Sequence, residues 1–183
     1  MSVLVDSDIL DAIDRGALVI EPFDRECLGT NSYDVHISSK LLTYDTEDAL
    51  DCRKQNKTAE HTIGPNGFVL QPGTLYLAST IEYTESLEYL PLLNGKSSLG
   101  RLGLSIHVTA GTGDVGFRGH WTMELFVIHP LRVYAGMAIG QLLWFTTNDL
   151  PDVPYNLKPN AKYNNRDPLP QASKPSQPPQ SGK

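Results

Sequence analysis

Seven consecutive residues, Gly95-Lys96-Ser97-Ser98-Leu99-Gly100-Arg101, put two cations, two hydroxyls and two glycines into one short stretch. Phosphate oxygens call for that set: charge-assisted donors, hydroxyls, and backbone N–H groups that glycine lets a ligand approach. A Walker A loop would also end in Gly-Lys-Ser, but it needs a glycine five residues before the final one, where Leu90 stands. A capped surface helix with solvated cations accounts for the segment equally well. A second stretch, Thr109 to Gly119, sets Gly111, Gly113, Gly116 and Gly119 around Asp114 and reads as a tight hairpin. In Trp121-Thr122-Met123-Glu124-Leu125-Phe126-Val127 a single carboxylate interrupts an apolar run. Alternation places Glu124 opposite the face of Trp121, Met123, Leu125 and Val127. Left in water it is an ordinary surface glutamate. With both faces covered, burial would raise its proton affinity toward the range an acid–base catalyst needs.

The elements that must position these residues are mostly strands. Tyr33, Val35 and Ile37 alternate with polar neighbours, as do Phe68 and Leu70, Leu75 and Leu77, and Leu104, Ile106 and Val108. Gln71-Pro72-Gly73 is a turn signal between two of the runs. Residues 7–15 read as a short helix, with Ser7 as its cap, Ile9, Leu10, Ala12 and Ile13 as its apolar face, and Gly16 as its stop. The pattern predicts a mainly β barrel or sandwich with little helix.

With 183 residues the chain fits one domain. A formal charge of −6 argues against a broad nucleic-acid surface but leaves room for a small phosphorylated ligand. No apolar run approaches a membrane span, and the acidic start MSVLVDSDILDAIDRG does not resemble a signal peptide, so a cytoplasmic location is expected. Cys27 and Cys52 suggest neither a disulfide framework nor a metal pair, and His36, His61, His107, His120 and His129 lack ligand spacing, so each is read as structural or surface. Eight of the thirteen prolines fall after Leu150. Residues 150–166, with Tyr155, Lys162, Tyr163 and Arg166, suit a lid, whereas 167–183 is expected to be a disordered, dispensable tail.

Taken in order, Lys96 through Leu104, His107-Val108-Thr109-Ala110, Asp114-Val115-Gly116-Phe117 and Met123-Glu124 resemble the successive signatures of the dCTP deaminase family. Asn31-Ser32-Tyr33-Asp34-Val35, Leu70-Gln71-Pro72-Gly73, Pro154-Tyr155-Asn156 and Ala161-Lys162-Tyr163 match as well, so the resemblance covers about residues 3–166. It implies a distorted, deoxyuridine-triphosphatase-like β-barrel that assembles as a homotrimer, with sites between subunits. It also implies that Lys96, Ser97, Ser98, Leu99, Gly100 and Arg101 bind the triphosphate, with Tyr155, Lys162 and Arg166 closing over it. Asp114 would take the sugar 3′-hydroxyl and Phe117 would pack on the sugar. Thr122, Met123 and Gln141 complete the implied substrate contacts.

The implied reaction is hydrolysis of dCTP to dUTP and ammonia. Zinc deaminases carry an H-x-E…P-C-x-x-C pattern, which is missing here. Glu124 would therefore take the proton of water, pass it to N3 and protonate the leaving ammonia. By resemblance, the Ser97 hydroxyl and the Ala110 carbonyl would hold the water, with Arg101 beside them. Magnesium would arrive with the triphosphate, no zinc is expected, and dTTP is a candidate feedback inhibitor. Gly111-Thr112 departs from the His-Arg of many single-function members and is shared in its glycine with bifunctional ones, which yield dUMP and pyrophosphate. Arg166 stands where many members carry Gln. A pure deoxyuridine triphosphatase would place Tyr at Phe117, and a non-catalytic nucleotide sensor would be expected to lose Glu124 or the Ser97–Arg101 cluster.

Overall fold

The protein is described by a computed structural model covering residues 1–164 and 166–175. Helix α1 spans Asp6–Asp14 and buries Ile9 and Ala12. It begins one residue earlier than the sequence pattern predicts. Val5 stands at the cap position, and the Asp8 carboxylate accepts the Val5 N–H at 3.1 Å, so Ser7 is not the cap. Gly16 ends the helix with φ of 72°, a conformation that costs glycine little.

The strands are β1 (Leu18–Glu21), β2 (Tyr33–Tyr44), β3 (Thr58–Thr62), β4 (Phe68–Leu70), β5 (Tyr76–Ser86) and β6 (Leu90–Gly95). A one-turn helix α2 (Ser97–Gly100) follows, then β7 (Leu104–Ser105), β8 (Phe117–Val127), β9 (Leu131–Val133) and β10 (Ala138–Phe145). The main sheet runs β6-β10-β2-β5-β8-β7, with β1 and β3 attached to β5 and β2, and β4 pairs with β9 apart from it. Tyr33, Val35, Ile37, Trp121, Met123, Leu125 and Val127 all fill the interior, as the two-residue period requires. The Leu104–Ile106 alternation fails at Val108, which is 56% exposed.

The sheet is nearly closed, and the stretch between β7 and β8 fills the gap. The Glu124 N–H donates to the Ile106 carbonyl at 2.9 Å on one side. On the other side Leu93 N–H donates to Gly111 O at 2.7 Å and Gly113 N–H to Pro91 O at 2.9 Å. The glycine-rich segment is thus a seam laid between β6 and β8 rather than the compact hairpin its composition suggests. A Cβ at Gly113 would lie 2.6 Å from Trp121 Cη2, and one at Gly111 would lie 2.9 Å from Leu93 O, so close approach explains both glycines.

Trp121 is held from two directions. Its backbone N–H donates to Thr80 Oγ1 at 3.0 Å, inside the bulge between Ser79 and Tyr83. Its indole N–H donates to Thr84 Oγ1 at 3.0 Å. Thr84→Val keeps the shape but orphans the buried indole donor, and should cost about 1–3 kcal/mol in urea unfolding. An unchanged midpoint would show that the indole finds another acceptor.

Candidate active site

Residues 118, 120, 122 and 124 of β8 alternate with the core positions and face outward. A cavity of about 450 Å³ lies over this outer face, within the usual range for small-ligand sites. Of the residues singled out in the sequence as candidates for the site or its lid, Ala110, Asp114, Phe117, Thr122, Glu124, Tyr155 and Tyr163 line it. Glu124 is half-buried, and its Oε2 accepts the Val108 N–H at 2.8 Å, which fixes the carboxylate against the seam. Asp114 heads a turn closed by Phe117 N–H donating to Asp114 O at 3.0 Å, with Gly116 at φ 91°. The Phe117 ring lies 4.7 Å from Trp121 and 6.4 Å from Tyr155, so the proposed sugar wall joins the core to the C-terminal segment.

The remaining predicted residues sit elsewhere on this chain. Ser97, Ser98, Gly100 and Arg101 are exposed on α2 and its end, and Leu99 packs toward the core. Lys96 pairs with Asp34, and Gln141 lies opposite both Asp34 and Asn94 in the sheet register. This second polar group lies on β6, β10 and β2, outside the cavity's lining. The side chain of Met123 is fully buried on the core face, because the alternation that turns Glu124 outward turns its neighbour inward, so the contact expected of Met123 is left to its backbone. Lys162 donates weakly to Lys174 O at 3.4 Å, and Arg166 lies against Tyr83.

Sequence reasoning missed several lining residues. His120 shares the outward face with Thr122 and Glu124, so the same two-residue period could have found it. Its Nδ1 lies 3.1 Å from the Thr80 carbonyl, which only a protonated Nδ1 can satisfy, and its ring meets Tyr83 edge-on at 5.7 Å. Tyr44, Gln171 and Ser173 also line the cavity. The last two belong to the stretch expected to be a tail without structure. In the structure residues 168–174 lie against the barrel: Ser79 donates to Pro168 O at 2.6 Å, Gln171 N–H to Thr122 Oγ1 at 3.0 Å, and Ser173 N–H to Tyr44 Oη at 2.7 Å. Barrel hydroxyls supply the anchor that the segment's composition lacks. Residues 176–183 lie outside the described residues.

Comparison with known proteins identifies the family. Residues 3–147 match the family described as dCTP deaminase-like, and the chain belongs to that family; its fold is the mainly β, nearly closed barrel described above. Among its relatives is the protein named dCTP deaminase, dUMP-forming, of Clostridium acetobutylicum, 47% identical over 142 residues, which are 78% of this chain and 81% of that one. The Cytophaga hutchinsonii protein of the same name is 51% identical over 129 residues, 70% of this chain and 74% of that one. The solved structure of 2′-deoxycytidine 5′-triphosphate deaminase from Agrobacterium tumefaciens matches in fold, with a TM-score of 0.63 at 20% identity. That match covers 79% of this chain and 48% of the other.

The turn at Gly116 docks the C-terminal segment: Tyr155 N–H donates to Val115 O at 2.9 Å, and a Cβ at 116 would lie 2.6 Å from Asn156 Oδ1 and 2.7 Å from Tyr155 N. Gly116→Ala should therefore displace Pro154–Asn156 while the barrel stays folded. Hydrogen exchange should show the Tyr155 amide deprotected and the β5 and β8 amides unchanged. Equal protection of Tyr155 in both proteins would refute this docking role.

Proposed function

We propose that the protein deaminates dCTP and carries the product on to dUMP. The observation that supports the first step is the meeting of Glu124, Ala110, Asp114 and Phe117 at one cavity, in a family described as dCTP deaminase-like. In this reading water adds at C4 of the base, Glu124 carries one of its protons to N3 and the second, from the new C4 hydroxyl, to the amino group, and the C4–N bond breaks to release ammonia. The Val108 N–H keeps one carboxylate oxygen in place while the other serves the water. Asp114 takes the 3′-hydroxyl, and Phe117, backed by Trp121, presses on the sugar. General acid–base transfer contributes roughly 10²–10⁴-fold, with the remainder assigned to positioning in a covered site.

Release as dUTP is the simpler reading of the sequence. Gly111 and the names of the relatives favour dUMP instead: proteins 47% and 51% identical are both called dUMP-forming. In the second step a further water cleaves dUTP to dUMP and pyrophosphate. Magnesium enters with the triphosphate as part of the substrate, and a role for dTTP as inhibitor stays within the proposal.

Incubating the protein with dCTP and magnesium should yield ammonia, dUMP and pyrophosphate in equal amounts with little free dUTP. Accumulation of dUTP without pyrophosphate would return the reading to a deaminase that stops there. Glu124→Gln should abolish ammonia release yet bind dCTP almost as the parent does, by calorimetry. Turnover within about tenfold of the parent would remove Glu124 from the proton-transfer role.

The homotrimer belongs to the same proposal, for a reason of charge. The cavity lining carries Asp114 and Glu124 but neither lysine nor arginine among the described residues, so a triphosphate lacks cations there. The exposed Ser97–Arg101 group can supply them to a neighbouring copy. Beside it, Leu102, Val108, Phe126 and Ile128 are 54%, 56%, 39% and 67% exposed, an apolar patch suited to subunit contact. Light scattering at assay concentrations should give three times the 20.2 kDa chain mass. A fully active monomer would contradict the shared site.

A further inference from the structure

Arg166 has a definite seat on the barrel. Its guanidinium carbon lies 4.4 Å from the centroid of the Tyr83 ring, a cation–π distance, and Tyr83 as a whole is only 6% exposed. Two carboxylates flank it: Glu85 Oε1 at 3.6 Å from Nη2 and Glu21 Oε2 at 3.8 Å from Nη1. The Tyr83 hydroxyl donates to Glu85 at 2.7 Å, and burial together with that bond pushes the phenol's pKa upward, so it remains a donor. Arg118 Nε lies 3.2 Å from the other Glu85 oxygen and competes for the same carboxylate. A phosphate approaching Arg166 here would meet two acids.

The chain immediately after Arg166 gives the seat a purpose. Within eight residues the backbone makes a run of contacts across the outer face. Pro168 O accepts from Ser79 of β5, Gln171 N–H donates to Thr122 of β8, and Ser173 N–H donates to Tyr44 of β2. Lys174 N–H then donates to Tyr163 Oη at 3.1 Å, and Tyr163 N–H donates to Tyr155 Oη at 3.1 Å, which ties the strap back to the cavity's other wall. Gln171 and Ser173 line the cavity itself. Most of these bonds join strap backbone to side-chain oxygens, so composition alone does not reveal them, and isolated surface bonds of this kind hold a segment weakly.

We propose that Arg166 is a positioning residue, the clasp that seats residues 168–174 across the cavity as a fourth wall, and not a ligand to phosphate. The reading of the cavity as a nucleotide site underlies only the kinetic half of the test. The structural half uses the full chain without nucleotide. Arg166→Ala and Tyr83→Leu should each raise the exchange rates of the Gln171, Ser173 and Lys174 amides about tenfold, while the Tyr155 amide keeps its protection. The Arg166 side chain is 69% exposed, so its replacement leaves the core intact and carries the test even if Tyr83→Leu unfolds the barrel. In steady-state assays with dCTP, Arg166→Ala and Tyr83→Leu should raise KM similarly, and the double variant should be no worse than the poorer single one. Unchanged exchange in Arg166→Ala would overturn the clasp. So would additive kinetic losses, with Tyr83→Leu near normal and Arg166→Ala weakening dCTP but not deoxycytidine, the outcome expected of a phosphate ligand.

Discussion

Closure of the barrel along one seam is the constraint on which the site depends. Strands β6 and β8 do not pair directly. The backbone from Ile106 to Gly113 runs between them, bonded to Glu124 N–H on one side and to Pro91 and Leu93 on the other. Open edges of a sheet leave backbone donors and acceptors unmet, and this stretch satisfies them. The same stretch carries Ala110 and the Val108 amide that holds Glu124, and it leads directly into Asp114. Closing the barrel and building this wall of the cavity are therefore one structural event. Gly111 and Gly113 are needed for the packing of that seam before any argument about ligand contact, because a Cβ at either would collide with fixed neighbours.

Trp121 transmits the interior to the site. Its indole is tied to Thr84, its far edge abuts Gly113, and its face meets Phe117, which in turn faces Tyr155. Close-packed interiors do not absorb displacement locally. A shift of the indole must therefore appear at the seam and at the proposed sugar wall. The bulge in β5 belongs to this arrangement, since Thr80 within it accepts the Trp121 backbone N–H while its carbonyl meets His120.

How far the sequence discloses all this depends on the range of the interaction involved. The period of two in β8 is local, and it correctly sets Trp121, Met123, Leu125 and Val127 inside and Glu124 outside. The same period contains His120, whose register with Thr122 and Glu124 is hidden when histidines are weighed by metal spacing alone. The cap of α1 lies two residues before its expected place, since an aspartate three residues in bonds back to Val5 where a hydroxyl is expected. Asp114, Phe117 and Tyr155 are found through resemblance, but the meeting of Gly116 with Tyr155 and Asn156 is a contact between distant segments that no local pattern encodes. The strap at 168–174 is the least legible part. Proline-rich composition predicts that a segment cannot fold alone, yet says nothing of hydroxyls waiting on another surface.

Charge decides how the two polar groups of the chain relate. The cavity holds the carboxylates Asp114 and Glu124, whereas two cations flank α2, where Lys96 is engaged by Asp34 and Arg101 is exposed. A highly charged triphosphate cannot be desolvated against acids alone, because an uncompensated charge in a partly buried site costs several kcal/mol. In the proposed function the two groups must be joined by a second copy or by bound cation. Arg166 does not close the gap on this chain, since Glu21 and Glu85 already surround it and Tyr83 holds its face. Its use as a clasp instead frees the lid from a conflict. A cation spent on phosphate would tie strap closure to the triphosphate, whereas one spent on the barrel lets the strap remain in place after pyrophosphate has formed. In the proposed function two hydrolyses follow in succession, and such a site gains from that independence, because the nucleoside end stays enclosed while the phosphate end changes.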